Sequence, residues 1–190
     1  EERNLEREDT VTISMEAAEA EARRCMNCGC YSVNASDISP VLVALGATVK
    51  TTKREIAASE LFTENLKVKD ELAPDEIVTE VSIPVQAGAV THYDKFRLRD
   101  SVDFAMVSLA SSFVVEGGKI ASASLVLGGV APVPLRREEA EAYLIGREPN
   151  EETAKAAAEL ALEGALPFEK NVYKVQVAKT LIERSVLRLS

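Results

Sequence analysis

The feature that most constrains the fold is a pair of apolar runs joined by the tetrapeptide E-G-G-K at positions 116–119. In the first run, 107–115, every second residue except Ser111 is apolar, which is the period of a half-buried β-strand. The second run, 120–128, has Leu125 and Leu127 on one face. A Gly-Gly pair between two such runs favours a two-residue hairpin turn, because glycine readily adopts the positive φ angles that this turn needs. The pattern predicts an antiparallel hairpin over residues 107–128.

Shorter elements flank this hairpin on both sides. Strand patterns cover 48–51, 55–57, 77–83 and 92–99, and helical patterns cover 38–45, 58–62, 137–144 and 151–163. A last helix begins after Asn171 with its apolar residues at helical spacing, and Asn150 and Asn171 are both candidate N-caps. Strands that precede a run of helices predict an α+β fold. We expect an antiparallel sheet of three or more strands over 76–190, with helices packed on one face.

Charge and hydropathy argue against two classes of partner. The 22 basic and 31 acidic residues give a net charge of −9 without a basic cluster, so nucleic acid is not expected as a ligand. No apolar run approaches the roughly 20 residues of a membrane span, and no signal-peptide pattern is present. The three cysteines are odd in number and clustered, which argues against a secreted disulfide framework, so we predict a cytoplasmic protein. Because the sequence opens with E-E-R-N-L-E-R-E-D and lacks an initial Met, we expect a fragment of a longer polypeptide.

Three basic residues, Lys95, Arg97 and Arg99, occupy alternate positions in the predicted strand 92–99. They are expected to share one face of the sheet, where three like charges need a bound anion, acidic side chains or open water. Spacing alone favours a solvated face that pairs with some of the 31 acidic residues, since charged side chains are mostly exposed. An anionic ligand is the alternative that the same pattern allows.

Three segments of the chain carry a family resemblance. They are Y-D-K-F-R-L-R-D-S-V-D-F-A-M-V-S-L-A at 93–110, L-G-G-V-A-P-V-P-L-R at 127–136 and N-V-Y-K at 171–174. Together they resemble the FAD-binding medium subunit of molybdenum hydroxylases, the family of carbon monoxide dehydrogenase and xanthine dehydrogenase. The resemblance implies FAD as cofactor, a partial α/β FAD lobe before the sheet, and contact between the flavin and Lys95. An ammonium group suits that place because it attracts the negative charge of a reduced flavin.

The same resemblance implies two further FAD-binding residues. The segment N-A-S-D-I-S-P at 34–40 is similar to the middle of the family's FAD lobe, and Asp37 matches an aspartate that contacts the cofactor. Val78, six residues before Pro84, stands where the family has an aliphatic residue against FAD. Each has a purely structural alternative, because Asp37 can cap the helix that follows it and Val78 can be a core strand residue. The residues alone leave both alternatives open.

Three cysteines lie close together at Cys25, Cys28 and Cys30. Thiolates at this spacing can converge on zinc or an iron–sulfur cluster, and a fourth ligand would have to come from elsewhere. Reduced thiols in a linker, or one oxidised pair, are the alternatives. The surrounding segment E-A-R-R-C-M-N-C-G-C resembles part of the small subunit of glutamate synthase and its relatives, which are iron–sulfur flavoenzymes. Met26, Asn27 and Cys28 replace the Gly-Gly-Asn turn that cradles the FAD phosphates in the medium-subunit family.

These observations divide the chain into three predicted parts. Residues 1–33 form a charged helical lead-in with the cysteines, 34–75 a remnant of the FAD-binding lobe, and 76–190 the C-terminal cap domain of the medium-subunit type. We expect a fragment of an FAD-dependent oxidoreductase that takes part in electron transfer between a reduced donor, flavin and an iron–sulfur centre. The alternative is a non-catalytic docking domain that keeps the fold, has lost FAD binding and is fused to a glutamate-synthase-like oxidoreductase.

The same interpretation predicts the partners of the chain. We expect an upstream oxidoreductase domain or an iron–sulfur subunit, neither nucleic acid nor a membrane, and we leave a homo-oligomer open. Because the phosphate turn is replaced, the isolated 190-residue chain is expected to bind FAD weakly or not at all and to be inactive alone. No residue stands out as a proton-transfer catalyst.

Overall fold

A computed structural model describes residues 37–64, 71–99 and 103–190. The helices are α1 (Ile38–Ala44), α2 (Ala58–Leu61), α3 (Glu138–Leu144), α4 (Glu151–Ala161) and α5 (Tyr173–Leu187). The strands are β1 (Thr48–Thr51), β2 (Glu55–Ala57), β3 (Val78–Ser82), β4 (Ala89–Phe96), β5 (Val107–Glu116), β6 (Lys119–Gly128) and β7 (Leu135–Arg136). None of the helices described has the length and apolar character needed to cross a bilayer.

The strands form two antiparallel sheets. The small sheet has three strands in the order β2-β1-β3, and the large sheet has four in the order β4-β5-β6-β7. Val49, Ile56 and Leu61 form the buried core beneath the small sheet. All five residues of β3, an edge strand, are exposed. Antiparallel sheets combined with separate helices confirm the predicted α+β class.

Glu76 ties the end of the small sheet together. Its carboxylate accepts hydrogen bonds from Thr51 Oγ1 at 2.7 Å, from Arg54 Nε at 3.0 Å and from the Ala73 N–H at 3.0 Å. Hydrogen bonding from Arg54, followed by that from Ala73 and Thr51, lowers the pKa of Glu76 to about 2. Glu76 therefore remains ionised, and the network intact, at neutral pH.

The hairpin predicted from the sequence is the centre of the large sheet. β5 and β6 pair along their length, with β4 on one side and β7 on the other. Gly117 and Gly118 connect them with φ angles of 56° and 77°, the sign that this two-residue turn needs. The local sequence pattern was sufficient here because the turn residues and both strands indicate the same structure.

The large sheet is covered on both faces. α3, α4 and α5 pack on one face, around Phe113, Leu125 and Ile182, each of which is fully buried. α1 packs on the opposite face, where Val43 and Ala44 share a buried cluster with Ala110 of β5 and Val126 of β6. The C-terminal helices thus lie on one face of their sheet, as predicted, and α1 covers the other face. Burial of apolar surface on both faces supplies the main stabilising term.

The helix ends follow the predicted caps in one case and not in the other. Asn150 Oδ1 accepts a hydrogen bond from the Thr153 N–H at 2.9 Å and so caps α4. α5 instead begins after Val172, which makes no side-chain cap bond, so the prediction that Asn171 caps it is wrong. The Asn171 Oδ1 atom is buried and has no hydrogen-bond partner among the described residues.

Candidate functional site

Asp37 and Lys95, two of the predicted FAD-binding residues, form an ion pair. Lys95 Nζ donates to Asp37 Oδ2 at 2.5 Å, and Tyr93 Oη donates to Asp37 Oδ1 at 2.8 Å. Asp37 and Lys95 are 58 positions apart in the sequence. The Asp37 carboxylate therefore accepts two hydrogen bonds from β4, and each of its oxygens accepts one of them. We call Asp37, Tyr93 and Lys95 the Asp37 cluster.

Strand geometry brings Tyr93 and Lys95 to the same place. They are two positions apart on β4, so their side chains lie on the same face of the sheet, the one on which α1 packs. Asp37 directly precedes α1, and the packing of α1 brings its carboxylate to them. Asp94, between them in the strand, lies on the other face, where its two oxygens accept hydrogen bonds from Arg188 at 2.7 Å each.

The Asp37 side chain does not cap α1. Its backbone lies at the helix N-terminus, but its carboxylate makes no hydrogen bond to the first turn. The carboxylate is turned toward β4, where an ammonium donor forms a stronger hydrogen bond than a neutral N–H does. The alternative in which this side chain serves only as a helix cap is therefore wrong.

The Asp37 cluster lies at the border between protein and solvent. The Lys95 side chain is 19% exposed and that of Asp37 is 43% exposed, so the charged ends can be reached from outside. Burial raises the pKa of Tyr93 above its ordinary value and Asp37 raises it further, whereas a hydrogen bond with Ser108 acts in the opposite direction. The phenol is therefore protonated at neutral pH and serves as a donor to Asp37.

Close packing beneath the Asp37 cluster explains why position 128 is occupied by glycine. Lys95 lies opposite Ser108 on β5, and Ser108 lies opposite Gly128 on β6. A Cβ atom at Gly128 would lie 2.4 Å from Ser108 Oγ and 2.7 Å from Pro40 Cγ. The absence of a side chain at this position lets α1, which contains Pro40, approach the sheet. Gly128 thus contributes to the site by admitting the helix that follows Asp37.

The basic stretch after Lys95 does not form the single face that its spacing predicted. β4 ends at Phe96, which lies opposite Val107, the first residue of β5. Arg97 and Arg99 follow the strand, and the prediction that they share a strand face with Lys95 is wrong. Arg99 Nε lies 3.0 Å from Asp103 Oδ2, and this hydrogen bond raises the pKa of Arg99 and lowers that of Asp103.

Val78 lies in the small sheet. It pairs with Thr51 of β1, and it is 42% exposed, which rules out the alternative that it is a core residue. Ile77, Val81 and Ile83, in and beside β3, are exposed as well.

Tyr93 is the residue of the Asp37 cluster that sequence reasoning missed. Its position two residues before Lys95 in a strand was a usable signal, because such residues share a face. Within 37–64, 71–99 and 103–190, no group of three or more His, Cys, Asp or Glu side chains is placed to hold a metal ion. The predicted ligands Cys25, Cys28 and Cys30 fall outside the described residues.

Comparison with known families identifies both parts of the chain. Residues 91–189, just over half of the 190-residue chain, match the family described as the CO dehydrogenase flavoprotein C-terminal domain. The chain belongs to this family. Residues 27–86 match a second family, the FAD binding domain in molybdopterin dehydrogenase. Asp37 falls in the FAD-binding match and Lys95 in the flavoprotein C-terminal match, so the Asp37 cluster joins the two.

Individual relatives agree with this assignment. The glyceraldehyde dehydrogenase medium chain of Sulfolobus acidocaldarius is 33% identical over 129 residues, which cover 64% of this chain and 43% of the relative. The aldehyde oxidoreductase FAD-binding subunit PaoB of Escherichia coli K12 is 30% identical over 158 residues, 79% of this chain and 46% of the relative. The crystal structure of quinoline 2-oxidoreductase from Pseudomonas putida 86 is 25% identical, with a TM-score of 0.73 and coverage of 90% of this chain and 62% of that one. The flavoprotein-family chain thus spans about half the length of these two curated relatives.

Proposed function

We propose that this chain is part of an FAD-dependent oxidoreductase of the molybdenum hydroxylase type, in which Asp37, Val78 and Lys95 contact FAD. The observation that carries the proposal is the Asp37–Lys95 ion pair. Two residues that the family resemblance singled out in separate segments meet at 2.5 Å. They meet at the junction between the FAD-binding match and the flavoprotein C-terminal match, where a cofactor shared by the two parts would lie.

The side chains present suit the cofactor. FAD combines an apolar ring edge with polar ring atoms, ribityl hydroxyls and a pyrophosphate. The partly exposed charges of Asp37 and Lys95 can meet its polar atoms, and the exposed aliphatic side chain of Val78 can meet an apolar edge. When bound, FAD supplies the electron-transfer chemistry, and these three residues would bind and orient it.

We propose further that the protein takes part in electron transfer between a reduced donor, flavin and an iron–sulfur centre. Cys25, Cys28 and Cys30 would supply three ligands, and an upstream oxidoreductase domain or an iron–sulfur subunit would supply the fourth. The likeness of the cysteine segment to glutamate synthase supports an upstream domain. The medium-chain name of the Sulfolobus relative supports a partner subunit. A cytoplasmic location suits thiols that must stay reduced.

The division of the chain into three parts, predicted as 1–33, 34–75 and 76–190, remains part of the proposal, with its second boundary revised. β3 pairs with β1, so the sheet of the FAD-binding lobe continues to Ser82, and we place the boundary between lobe and cap domain after that residue. Asp37 then belongs to the lobe, and Tyr93 and Lys95 belong to the cap domain. A cofactor at this junction would contact both parts at once.

Flavin content and affinity test the proposal. The natural protein or complex that contains this chain is purified anaerobically, its absorbance spectrum is recorded, and FAD is titrated into the apoprotein. We expect about one FAD per chain and much weaker binding by the isolated 190-residue chain, since each charge-assisted bond from a phosphate turn is worth about 1.5–3 kcal/mol. Iron analysis of the same preparation, with Cys28→Ser as the control, tests the cluster. A natural protein that neither contains nor binds FAD contradicts the proposal.

A docking domain is the second candidate function. Met26, Asn27 and Cys28 in place of a Gly-Gly-Asn turn favour it, because glycines let backbone N–H groups close around a pyrophosphate and other residues do so with difficulty. In that case the fold persists without a cofactor and its surface contacts a glutamate-synthase-like oxidoreductase. A stable complex that lacks FAD and does not bind added FAD would support docking over cofactor binding.

A further inference from the structure

The phenol of Tyr93 supplies the second of two hydrogen bonds to the Asp37 carboxylate. Tyr93 Oη lies 2.8 Å from Oδ1, while Lys95 Nζ holds the other oxygen, Oδ2, at 2.5 Å. The terminal torsion of an aspartate is broad, so a single donor leaves the carboxylate free to rotate. With one donor on each oxygen, the orientation of the Asp37 carboxylate is fixed.

We propose that Tyr93 is a positioning residue for FAD binding, which holds the Asp37 carboxylate and the Lys95 ammonium together as one preorganised unit. The inference rests on the proposed function of Asp37 and Lys95. It adds a residue that neither the family resemblance nor the sequence spacing assigned. Tyr93 acts through Asp37 and need not touch the cofactor itself.

The surroundings of Tyr93 hold the phenol in place before any ligand binds. Its ring packs against the apolar cluster that joins α1 to the large sheet, which includes Val43 and Ala110. Tyr93 also lies within β4, directly opposite Ala110 of β5, so the strand pairing fixes its backbone. A side chain already held by packing loses little conformational entropy in holding Asp37 as well. Preorganisation of this kind strengthens ligand binding without adding a contact to the ligand.

The unit keeps hydrogen-bonding capacity for a ligand. Each Asp37 oxygen has a second lone pair, and the Lys95 ammonium has donors beyond the one that it gives to Asp37. A ligand with hydroxyl or N–H donors as well as carbonyl or ring-nitrogen acceptors can use both halves of the unit. FAD carries both kinds of group on its ribityl chain and ring. Without the Tyr93 hydroxyl, the carboxylate would have to be ordered at the moment of binding.

Tyr93→Phe tests the role, because it removes the hydroxyl and keeps the ring. In the natural protein or complex we expect this variant to bind FAD about fivefold more weakly, the effect of one hydrogen bond. Tyr143→Phe is the matched control, since Tyr143 lies on α3 and outside the Asp37 cluster; its FAD affinity should equal that of wild type. Wild-type affinity for Tyr93→Phe would overturn the inference and leave the proposed function standing.

A double-mutant cycle separates positioning from a general structural role. If Tyr93 acts through Asp37, Tyr93→Phe should weaken FAD binding less than about twofold in an Asp37→Ala protein. It should keep its effect of about fivefold in a Lys95→Met protein, where the carboxylate remains. A structural role predicts the same loss in every background, so equal losses in the wild-type and Asp37→Ala proteins would refute the inference. If the wild-type natural protein binds no FAD, the proposed function fails and the inference fails with it.

Discussion

The two faces of the large sheet differ in the side chains that they carry. The face under α3, α4 and α5 holds the largest buried apolar side chains, among them Phe113 and Leu125. The face under α1 holds small residues at the alternate positions, such as Ser108, Ala110 and Gly128. The first face is a core that stabilises the fold, whereas the second admits a short helix and carries polar groups at its edge. Stability and the candidate site therefore rest on opposite faces of one sheet.

The largest loss of stability is expected from a cavity in the core between the large sheet and helices α3, α4 and α5. Phe113 is fully buried, so Phe113→Ala should lower the free energy of unfolding by about 3–5 kcal/mol in urea denaturation. Phe168→Ala is the control, because that ring is 80% exposed, and it should change stability by less than about 0.5 kcal/mol. Where the Phe113→Ala protein still folds, its FAD affinity should remain near that of wild type. Loss of FAD binding without loss of stability would contradict the division between the faces.

A smaller loss of stability is expected on the face covered by α1, where Gly128 has no room for a side chain. Gly128→Ala places a Cβ atom 2.4 Å from Ser108 Oγ and 2.7 Å from Pro40 Cγ, and we expect a loss of about 1–3 kcal/mol in stability. FAD affinity should fall in parallel, because α1 and Asp37 are pushed away from β4. Adding Ser108→Ala removes one of the two clashes and should restore part of the stability. A Gly128→Ala protein with unchanged stability and FAD affinity would show that the close approach of α1 is not required.

The smallest loss of stability is expected at the Arg188–Asp94 ion pair, on the face of β4 opposite Lys95. Arg188 donates two hydrogen bonds to Asp94, each 2.7 Å long, and links the end of α5 to the strand that carries Lys95. Because the pair is solvent-accessible, Arg188→Gln should cost about 0.5–1 kcal/mol in the free energy of unfolding. The difference from wild type should shrink in high salt, which screens exposed charges. A loss that is larger and independent of salt would mean that packing of the arginine, rather than its charge, holds the strand.

The elements that the sequence predicted well are those set by local pattern. The β5–β6 hairpin follows from two alternating runs and a Gly-Gly turn, and Asn150 caps α4 because its side chain reaches the N–H of the third residue after it. The end of β4 was misplaced because it depends on where β5 begins, which a single strand pattern does not contain. Asn171 failed as a cap for a similar reason, since the helix starts one residue later than its spacing suggested.

The candidate site could be predicted only in part. Family resemblance marked Asp37, Val78 and Lys95, but their spacing gives no reason for residues 58 positions apart to meet. The meeting depends on α1 packing against the face of β4 that carries Tyr93 and Lys95, which is a tertiary contact. Tyr93 was missed because its role is to hold another side chain, and only the packed structure shows which carboxylate it reaches.

The most direct test of the central claim compares two matched ion pairs. Lys95–Asp37 and Lys179–Glu159 are both 2.5 Å long, and their lysine side chains are 19% and 21% exposed, but the second pair joins α4 to α5 on the helix side. FAD affinity is measured for Lys95→Met and Lys179→Met in the natural protein or complex. The account predicts that Lys95→Met weakens binding about tenfold or more, as expected for a charge-assisted hydrogen bond, and that Lys179→Met changes it less than about twofold. Equal FAD affinities for the two folded variants would contradict the claim that the Asp37–Lys95 pair binds the cofactor.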